Sequence, residues 1–252
     1  MMKSFWHKLH FFLLYPQYIR NWYCLFFYRI GFTFLQPSKI LLYEKVAFHF
    51  NKNFDMLLET WWLHLYDLGI MDFSDSKVIV DIWWHVWFFS IYASIKSPLW
   101  KVYVFEPDPQ NYEDLVKNIT LNKRENIIAY NNAVWSVDEI INFYVSDHSW
   151  CNSRYQVSRS NKTIKVNSIS FETWMDNNNI SMIDFLKVDC EWWEYDILLN
   201  MSDIYINKIY KIAWELHNVW NHKPMQIVDK LSNLWWIVYY DSDIFYAINK
   251  NI

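Results

Sequence analysis

The sequence predicts an α/β fold, with a mostly parallel central sheet and helices on both faces. From Val78 onward, short apolar runs that suit buried strands alternate with segments in which apolar residues recur every three or four positions. Several of the predicted strands are followed at once by acidic or amide side chains, and such edges of open α/β sheets bind ligands. With 252 residues and 53% hydrophobic residues, the chain is long enough for one large domain, or for a domain with an extension.

Each element is predicted from a local pattern. The first strand, at 78–82, is a β-branched run, and the helix at 110–122 carries Tyr112, Leu115, Val116 and Ile119 on one face. Strands separated by helices at this spacing favour a parallel sheet. The predicted strands are 78–82, 101–105, 127–130, 183–188, 208–216, 237–240 and 244–248, with further extended segments at 142–145 and 162–166; the predicted helices are 88–97, 110–122, 170–177, 194–200 and 225–234.

Residues 1–50 are predicted to form a helical extension that precedes a main domain at 51–252. The extension is rich in aromatic residues and interspersed with Lys and Arg, and its helices are expected to break near Pro16 and at 36–38. No run reaches the roughly 18 apolar residues of a membrane-spanning helix. Residues 1–35 suit peripheral contact with a membrane surface, or a helical arm that packs on the domain or on another subunit.

Charge and cysteine content exclude some classes of protein. The net charge is −4 and the isoelectric point about 6.0, so the chain has no basic footprint for nucleic acid. Cys24, Cys151 and Cys190 form neither a disulfide framework nor a metal-binding spacing, and we predict no metal site. A reducing cytoplasm is therefore the expected compartment, with association at the inner membrane surface as an option. The sequence does not indicate an oligomeric state.

The turn after the first predicted strand contains Trp83, Trp84 and Trp87 where a cofactor-binding turn needs glycine. The whole chain has 2 Gly and 17 Trp, whereas about 18 Gly would be ordinary at this length. We therefore hypothesise that many Trp positions are glycine in the living protein, through a codon that the source reads as Gly. The alternative is a protein that is truly rich in Trp. Other turn positions that fit the hypothesis are Trp100, Trp135, Trp150, Trp192, Trp193, Trp235 and Trp236, whereas Trp174 fits an apolar helix face and is expected to be a true Trp.

Acidic and amide side chains end four of the predicted strands: Asp81, Glu106, the pair Asn131 and Asn132, and Asp189 followed by Glu191. Glu106 lies 23 residues beyond position 83. This spacing suits a carboxylate that accepts hydrogen bonds from the ribose of a bound nucleoside. It fits a nicotinamide site or an S-adenosylmethionine site.

With Gly in place of these Trp, five ordered motifs appear: V-D-I-G-G-H-V-G-F-F-S, V-Y-V-F-E-P-D-P-Q-N-Y, N-N-A-V-G-S, I-D-F-L-K-V-D-C-E-G-G-E-Y-D-I-L and E-L-H. Together they resemble the FkbM-type S-adenosylmethionine-dependent methyltransferases over roughly residues 55–250. The resemblance implies a Rossmann-like class I methyltransferase fold, with S-adenosylmethionine as the cofactor. The chain departs from the family in the Gly-to-Trp replacement itself.

The resemblance also implies roles for individual residues. Asp81 and the turn that holds Trp83, Trp84, His85 and Trp87 would line the methionine end of the cofactor. Glu106 would hold the ribose, with Pro107 and Asp108 shaping the adenine side. The remaining residues that match the motifs are Asn132, Ala133 and Val134 near the adenine ring, and Asp189, Glu191 and Glu194 facing the methyl group and the acceptor.

Methyl transfer to a hydroxyl needs an aligned acceptor and a group that takes its proton. Asp189, Glu191, Glu215 and His217 are the candidate bases. Asp189 has the best position, at the end of a strand, although it could instead cap the next helix. Glu215 and His217 alternate along a strand and point to one face, and His217 has an ordinary pKa near neutrality. Lys187 could pair with Asp189 or with Glu215.

We expect an enzyme that O-methylates a hydroxyl of a sugar, a glycan or a related small molecule. The acceptor rests on family analogy. A nicotinamide-dependent oxidoreductase is the alternative enzyme, and a non-catalytic binding protein is the third option if the Trp residues of the turn are genuine. We further expect the literal sequence to keep the α/β fold, with the indoles of Trp83, Trp84 and Trp87 crowding the cofactor pocket.

Overall fold

The computed structural model describes residues 15–49, 57, 60, 66, 69–83, 88–146, 160–190, 193–215, 223–241 and 244–252. Elements are numbered in chain order. The strands are β1 Lys39–Leu41, β2 Ala47–His49, β3 Val78–Trp83, β4 Lys101–Phe105, β5 Ile127–Tyr130, β6 Ala133–Trp135, β7 Ile140–Ser146, β8 Ser160–Ser170, β9 Ile183–Asp189, β10 Ile209–Glu215, β11 Trp236–Asp241 and β12 Ile244–Asn249. The helices are α1 Trp22–Arg29, α2 Phe88–Lys96, α3 Pro109–Leu121, α4 Phe171–Asn177, α5 Glu194–Asn200, α6 Asp203–Ile206 and α7 Pro224–Asn233, with short 3₁₀ turns at Thr33–Leu35 and Gly69–Met71.

A seven-stranded sheet forms the centre of the protein, in the order β5-β4-β3-β9-β10-β12-β11. The first five strands in this order are parallel, and β12 and β11 add an antiparallel edge. The predicted mostly parallel sheet is therefore confirmed. The order reverses between β3 and β9, because the chain first builds outward through β4 and β5 and then returns to the other side of β3. Crevices that bind ligands form at such reversals.

Helices cover both faces of this sheet, as predicted. Successive strand residues point to opposite faces, so Ile79 packs on one side and Val80 on the other. Helices α2 and α3 share the first side with the N-terminal segment, while α4, α5 and α7 lie on the second side with the small sheet. Trp174 of α4 is fully buried on this second side, as expected for a true Trp.

Local signals explain the helix boundaries. Asp108 caps α3 by accepting hydrogen bonds from two backbone amides, and Pro109 occupies the first helical position. Ser170 caps α4 through one hydrogen bond, which its side chain accepts from the Thr173 amide. Three helices are followed by a residue with left-handed φ that reverses the chain: Lys123 after α3, Asn179 after α4 and Trp235 after α7.

A separate three-stranded sheet has the order β6-β8-β7, and the predicted extended segments at 142–145 and 162–166 are the middles of β7 and β8. The prediction missed β6, which has three residues, and α6, which has four. Both are too short to show a periodic pattern.

The N-terminal segment differs from the predicted all-helical extension. After the break at 36–38 the chain forms the hairpin β1–β2, in which Ile40 and Phe48 are buried and paired. Lys45, with φ of 63°, closes its turn. In each of these three-residue strands the middle side chain is buried and its two neighbours are partly exposed, as expected for a strand with one face on the core. The sequence also predicts a helix-like stretch at 55–60, which lies largely outside the described residues.

Side-chain amides fix this segment to the main domain. Asn122 of α3 accepts a hydrogen bond from the Ala47 amide at 2.9 Å and donates one to the Ala47 carbonyl at 2.7 Å. Asn118 accepts a hydrogen bond from the amide of His49 at 2.8 Å. Asn21 joins the start of α1 to β1 through Lys39 and Leu41. Among the described helices, none combines the length and the apolar character needed to cross a membrane.

Candidate active site

The polar residues predicted to form the site lie along the carboxyl edge of the central sheet. Trp83, the last residue of β3, lies opposite Asp189, the last residue of β9. Glu106 directly follows β4 on one side of this pair, and Glu215 ends β10 on the other side. The strand order therefore brings these predicted residues into one row.

Asp189 belongs to a buried network that reaches β3. The hydroxyl of Tyr66 donates a 2.8 Å hydrogen bond to Oδ2 of Asp189, and Nζ of Lys187 lies 3.2 Å from the same oxygen. The same ammonium lies 3.7 Å from Oδ1 of Asp81 and 4.5 Å from the centroid of the Tyr66 ring. Ser90 of α2 donates a hydrogen bond to Oδ2 of Asp81. Lys187 thus holds the carboxylates of two neighbouring strands.

Burial dominates the electrostatics of Asp81. Its side chain is almost completely buried, and the loss of hydration raises the pKa of the carboxyl above its usual range. The charge of Lys187 and the hydrogen bond from Ser90 oppose this shift, while the charge of Asp189 adds to it. One lysine here faces two carboxylates, so a further positive charge beside them would be stabilised.

Glu106 is buried at the end of β4 and is held by its own chain. Its Oε1 accepts a 2.8 Å hydrogen bond from the Asp108 amide, and its carbonyl accepts one from the side chain of Asn131. Burial raises the pKa of Glu106 well above its usual range, and the nearby charges of Asp108 and Asp81 add to this effect. A ligand that donates hydrogen bonds to this carboxylate would recover part of the lost hydration energy.

The other predicted cofactor residues are placed as follows. Pro107 and Asp108 join β4 to α3, and Asp108 is buried as the cap of this helix. Asn132 lies partly buried between β5 and β6. Ala133 and Val134 are buried in β6 and pack in the core on the side of α4 and α5.

Several predicted residues lie outside the described part of the chain. They are Trp84, His85, Trp87, Glu191 and His217, and of Trp83 only the backbone is described. The expectation that indoles crowd the pocket therefore stays a prediction, whereas the expected α/β fold of the literal sequence is confirmed.

Two Trp positions of the glycine hypothesis have informative environments. Trp235 adopts φ of 64°, in the left-handed region that glycine favours, and its side chain is 76% exposed. Trp193 has an ordinary backbone as the cap residue of α5 and is fully buried, with its ring centroid 5.1 Å from that of Trp135. The conformation of Trp235 therefore supports the hypothesis, and that of Trp193 does not require it.

Sequence reasoning missed Tyr66 and Ser90, and it identified only part of the role of Lys187. No local sequence pattern identifies Tyr66 as a site residue, because its contact with Asp189 joins residues that are 123 positions apart. The sequence leaves Asp189 and Glu215 as alternative partners of Lys187; the structure pairs Lys187 with Asp189, and also with Asp81. The contact with Asp81 requires β3 and β9 to be neighbours in the sheet, and the order of strands cannot be predicted from local sequence patterns.

Comparison with known proteins identifies the family. Residues 75–234 match the model of the methyltransferase FkbM domain. Among solved structures, a precorrin-6y C5,15-methyltransferase from Geobacter metallireducens is similar, with 12% identity over 68% of this chain and 78% of its own, at a TM-score of 0.40. M. capricolum TrmK in complex with S-adenosyl-homocysteine is similar with 14% identity over 69% of this chain and 62% of its own, at a TM-score of 0.40. An O-methyltransferase family protein from Burkholderia thailandensis is similar with 7% identity over 77% of this chain and 56% of its own, at a TM-score of 0.46.

No match was found among curated proteins. The family match covers more than half of the chain and includes β3, α2, β4 and β9, which carry the described part of the carboxyl edge. The chain therefore belongs to the FkbM family of S-adenosylmethionine-dependent methyltransferases and has their Rossmann-like fold.

Proposed function

We propose that this methyltransferase transfers the methyl group to a hydroxyl of a sugar, a glycan or a related small molecule, with Asp189 as the base. The observation that supports this proposal is the position of the Asp189 carboxylate. It is buried at the carboxyl edge, opposite the first residue of the cofactor turn, and is held by Tyr66 and Lys187. A held carboxylate at this place can orient a hydroxyl and accept its proton.

The described residues fit S-adenosylmethionine. Glu106 would accept hydrogen bonds from the ribose hydroxyls, and Asp81 would lie near the methionine end. Among the described residues, Oδ1 of Asp81 is buried 3.7 Å from Nζ of Lys187 and makes no hydrogen bond, so a ligand could still donate one to this oxygen. Bound S-adenosylmethionine supplies an electrophilic methyl group on a cationic sulfonium, which matches the excess of carboxylates over Lys187.

The chain's own contribution is to position groups and to move one proton. Tyr66 and Lys187 both contact Oδ2 of Asp189, so Oδ1 is the oxygen that we propose accepts the proton of an acceptor hydroxyl. The acceptor hydroxyl would donate its proton to this carboxylate as its oxygen attacks. Before the methyl transfer, Lys187 compensates the negative charge of Asp189. It lies beside Asp81 both before and after the transfer.

Glu191, Glu215 and His217 stay alternative bases. Glu215 ends the strand next to Asp189 and is partly buried, so it lies at the same edge. A base of ordinary histidine pKa would give a rate that rises with pH around neutrality, whereas a carboxylate base would give a rate that is flat there. The pH profile of the transfer rate therefore distinguishes His217 from the carboxylates.

Binding and transfer assays test the proposal in two steps. Calorimetry with S-adenosylmethionine and with NAD, on the literal chain and on the Trp83→Gly, Trp84→Gly, Trp87→Gly variant, tests the cofactor. We expect the variant to bind S-adenosylmethionine and not NAD. Binding of NAD alone would favour the oxidoreductase, and binding of neither would favour a non-catalytic protein.

Transfer of labelled methyl to a panel of sugars and glycans then tests the acceptor and the base. In a background that binds the cofactor, Asp189→Asn should lower the transfer rate about 100-fold or more. The matched control is Asp75→Asn, a charge change at an exposed aspartate away from the edge, and it should leave the rate unchanged. Methylation of amines or thiols but not hydroxyls, or full activity of the Asp189→Asn variant, would overturn the proposal.

A further inference from the structure

The charges of this chain are divided sharply along the sequence. The first 43 residues contain five Lys and Arg and no Asp or Glu. The remaining residues contain 18 Lys and Arg against 27 Asp and Glu. The N-terminal segment is therefore strongly basic, while the rest of the chain carries a net charge of −9. Such an asymmetry points to an anionic partner for the segment.

Helix α1 is apolar on two faces. Leu25 is fully buried, and Trp22 and Tyr28 pack against the core beside it. On the other face, Tyr23 and Phe27 are one helical turn apart and are 53% and 39% exposed. A helix that only covers a domain needs a polar outer face. The outer face of α1 is therefore available for an apolar partner.

The exposed apolar surface continues beyond the helix. Ile30, Phe32 and Phe34 follow within seven residues of Phe27, and the ring of Phe34 is 79% exposed. Edge-to-face contacts join Phe27 to Phe32 at 6.0 Å and Phe32 to Phe34 at 5.9 Å, so these side chains form one contiguous surface. We call the exposed apolar side chains of α1 and of the residues after it, which surround these three rings in sequence, the aromatic patch; its members are Tyr23, Phe27, Ile30, Phe32, Phe34 and Leu35.

We propose that the aromatic patch docks the protein on the surface of an anionic lipid bilayer. Aromatic and aliphatic side chains would enter the headgroup boundary, while the basic residues of the segment would contact acidic lipid headgroups. Arg20 is exposed just before α1, and Lys39 lies partly exposed at the start of β1. The acidic remainder of the chain would be repelled by the same bilayer, which would fix the orientation of the docked protein.

The charges favour a bilayer over a second copy of the chain. A symmetric dimer through the aromatic patch would place each patch against itself and would bring two basic segments together. An anionic bilayer instead offers charge of the opposite sign beside an apolar interior. This inference goes beyond the proposed methyl transfer and does not depend on it.

Vesicle flotation tests the inference with the full chain. We expect the protein to bind phosphatidylcholine vesicles that contain about 30% phosphatidylglycerol and to bind pure phosphatidylcholine much more weakly. Binding should weaken as sodium chloride rises from about 0.1 to about 0.5 M, because salt screens exposed charges.

Matched variants distinguish binding through the aromatic patch from non-specific adsorption to vesicles. The variant Phe27→Gln, Ile30→Gln, Phe34→Gln should bind anionic vesicles about tenfold more weakly or worse. The control Leu99→Gln, Tyr240→Gln removes two apolar groups elsewhere that are at least as exposed as most of the patch, and it should bind like the parent. Likewise Arg20→Gln, Lys39→Gln should weaken binding about tenfold, and the control Lys101→Gln, Lys123→Gln should not. Circular dichroism of each variant would show that it is folded.

Three outcomes would overturn the inference. The first is equal binding to neutral and anionic vesicles, and the second is unchanged binding by folded patch variants. The third is a dimer in sedimentation equilibrium that dissociates in the patch variant, because the patch would then be a subunit interface. None of these outcomes bears on methyl transfer, so the two proposals fail independently.

Discussion

Replacing Trp235 by glycine should stabilise the protein. Trp235 follows α7 with φ of 64°, where a side chain with Cβ is strained by roughly 1–2 kcal/mol relative to glycine. Its indole is 76% exposed, so its removal loses only about 0.5 kcal/mol of burial. The net expectation is a gain of about 1 kcal/mol in the free energy of unfolding, or about 2–4 °C in Tm for a chain of this size.

Urea and thermal denaturation of Trp235→Gly would measure this gain. The matched control is Trp100→Gly, since Trp100 is also a turn residue but has no left-handed φ, is 39% exposed and lies 5.7 Å from the ammonium of Lys77. Glycine at 100 should therefore destabilise the protein, by about 1 kcal/mol. If Trp235→Gly lowers the free energy of unfolding, as Trp100→Gly is expected to do, the backbone of Trp235 is not strained and its support for the glycine hypothesis is lost.

Two further variants and one mass measurement probe the site and the hypothesis. Burial raises the pKa of Glu106 well above its usual range, so its contribution to stability is full below the ordinary glutamate pKa and is lost as pH rises through the folded pKa. Glu106→Gln should therefore raise the free energy of unfolding at neutral pH and flatten its pH dependence. The same variant should bind S-adenosylmethionine about tenfold more weakly or worse in calorimetry, and unchanged binding would contradict the proposed contact with the ribose. Lys187→Met should cost about 3–5 kcal/mol at neutral pH, because it leaves Asp81 and Asp189 buried without their cation. Burial raises the pKa of Asp81, so the loss in denaturation midpoint should shrink in acid, where this carboxyl is protonated and needs no cation; a loss that does not depend on pH would argue against the pair of Lys187 with Asp81. Peptide mass spectrometry of the protein from its source should find Gly at 83, 84, 87 and 235, and Trp at these positions would end the hypothesis.

The parts of the fold that carry strong local signals agree with the prediction. Strands β4 and β5 and helix α5 have the predicted bounds, because an uninterrupted apolar run or an amphipathic turn defines each of them. The N-terminal hairpin was missed because Ile40 and Phe48 are recognisable as strand residues only when paired with each other. Its short strands gain their stability from α3, which lies about 70 residues away in sequence.

The site was predictable as far as single strands determine it. Asp81, Glu106 and Asp189 each end a strand, and parallel strands place such ends at one edge. What could not be predicted is how these residues are held. The contact of Lys187 with Asp81 needs the adjacency of β3 and β9, and the hydrogen bond from Tyr66 needs the path of a segment outside the sheet.

Helix α3 has a consequence for any attempt to shorten the chain. It starts beside Glu106 and spans 13 residues, or about 20 Å, to the asparagines that hold the N-terminal hairpin. Removing residues 1–50 would uncover the side chains of Asn118 and Asn122 together with Leu115 and Phe88, which now share a core with Tyr15 and Ile19. The family match begins at residue 75, so a fragment cut to the match would lack the segment that covers these side chains, and we expect it to be less stable than the full chain. A crystallographer who trims the protein to the match should expect aggregation.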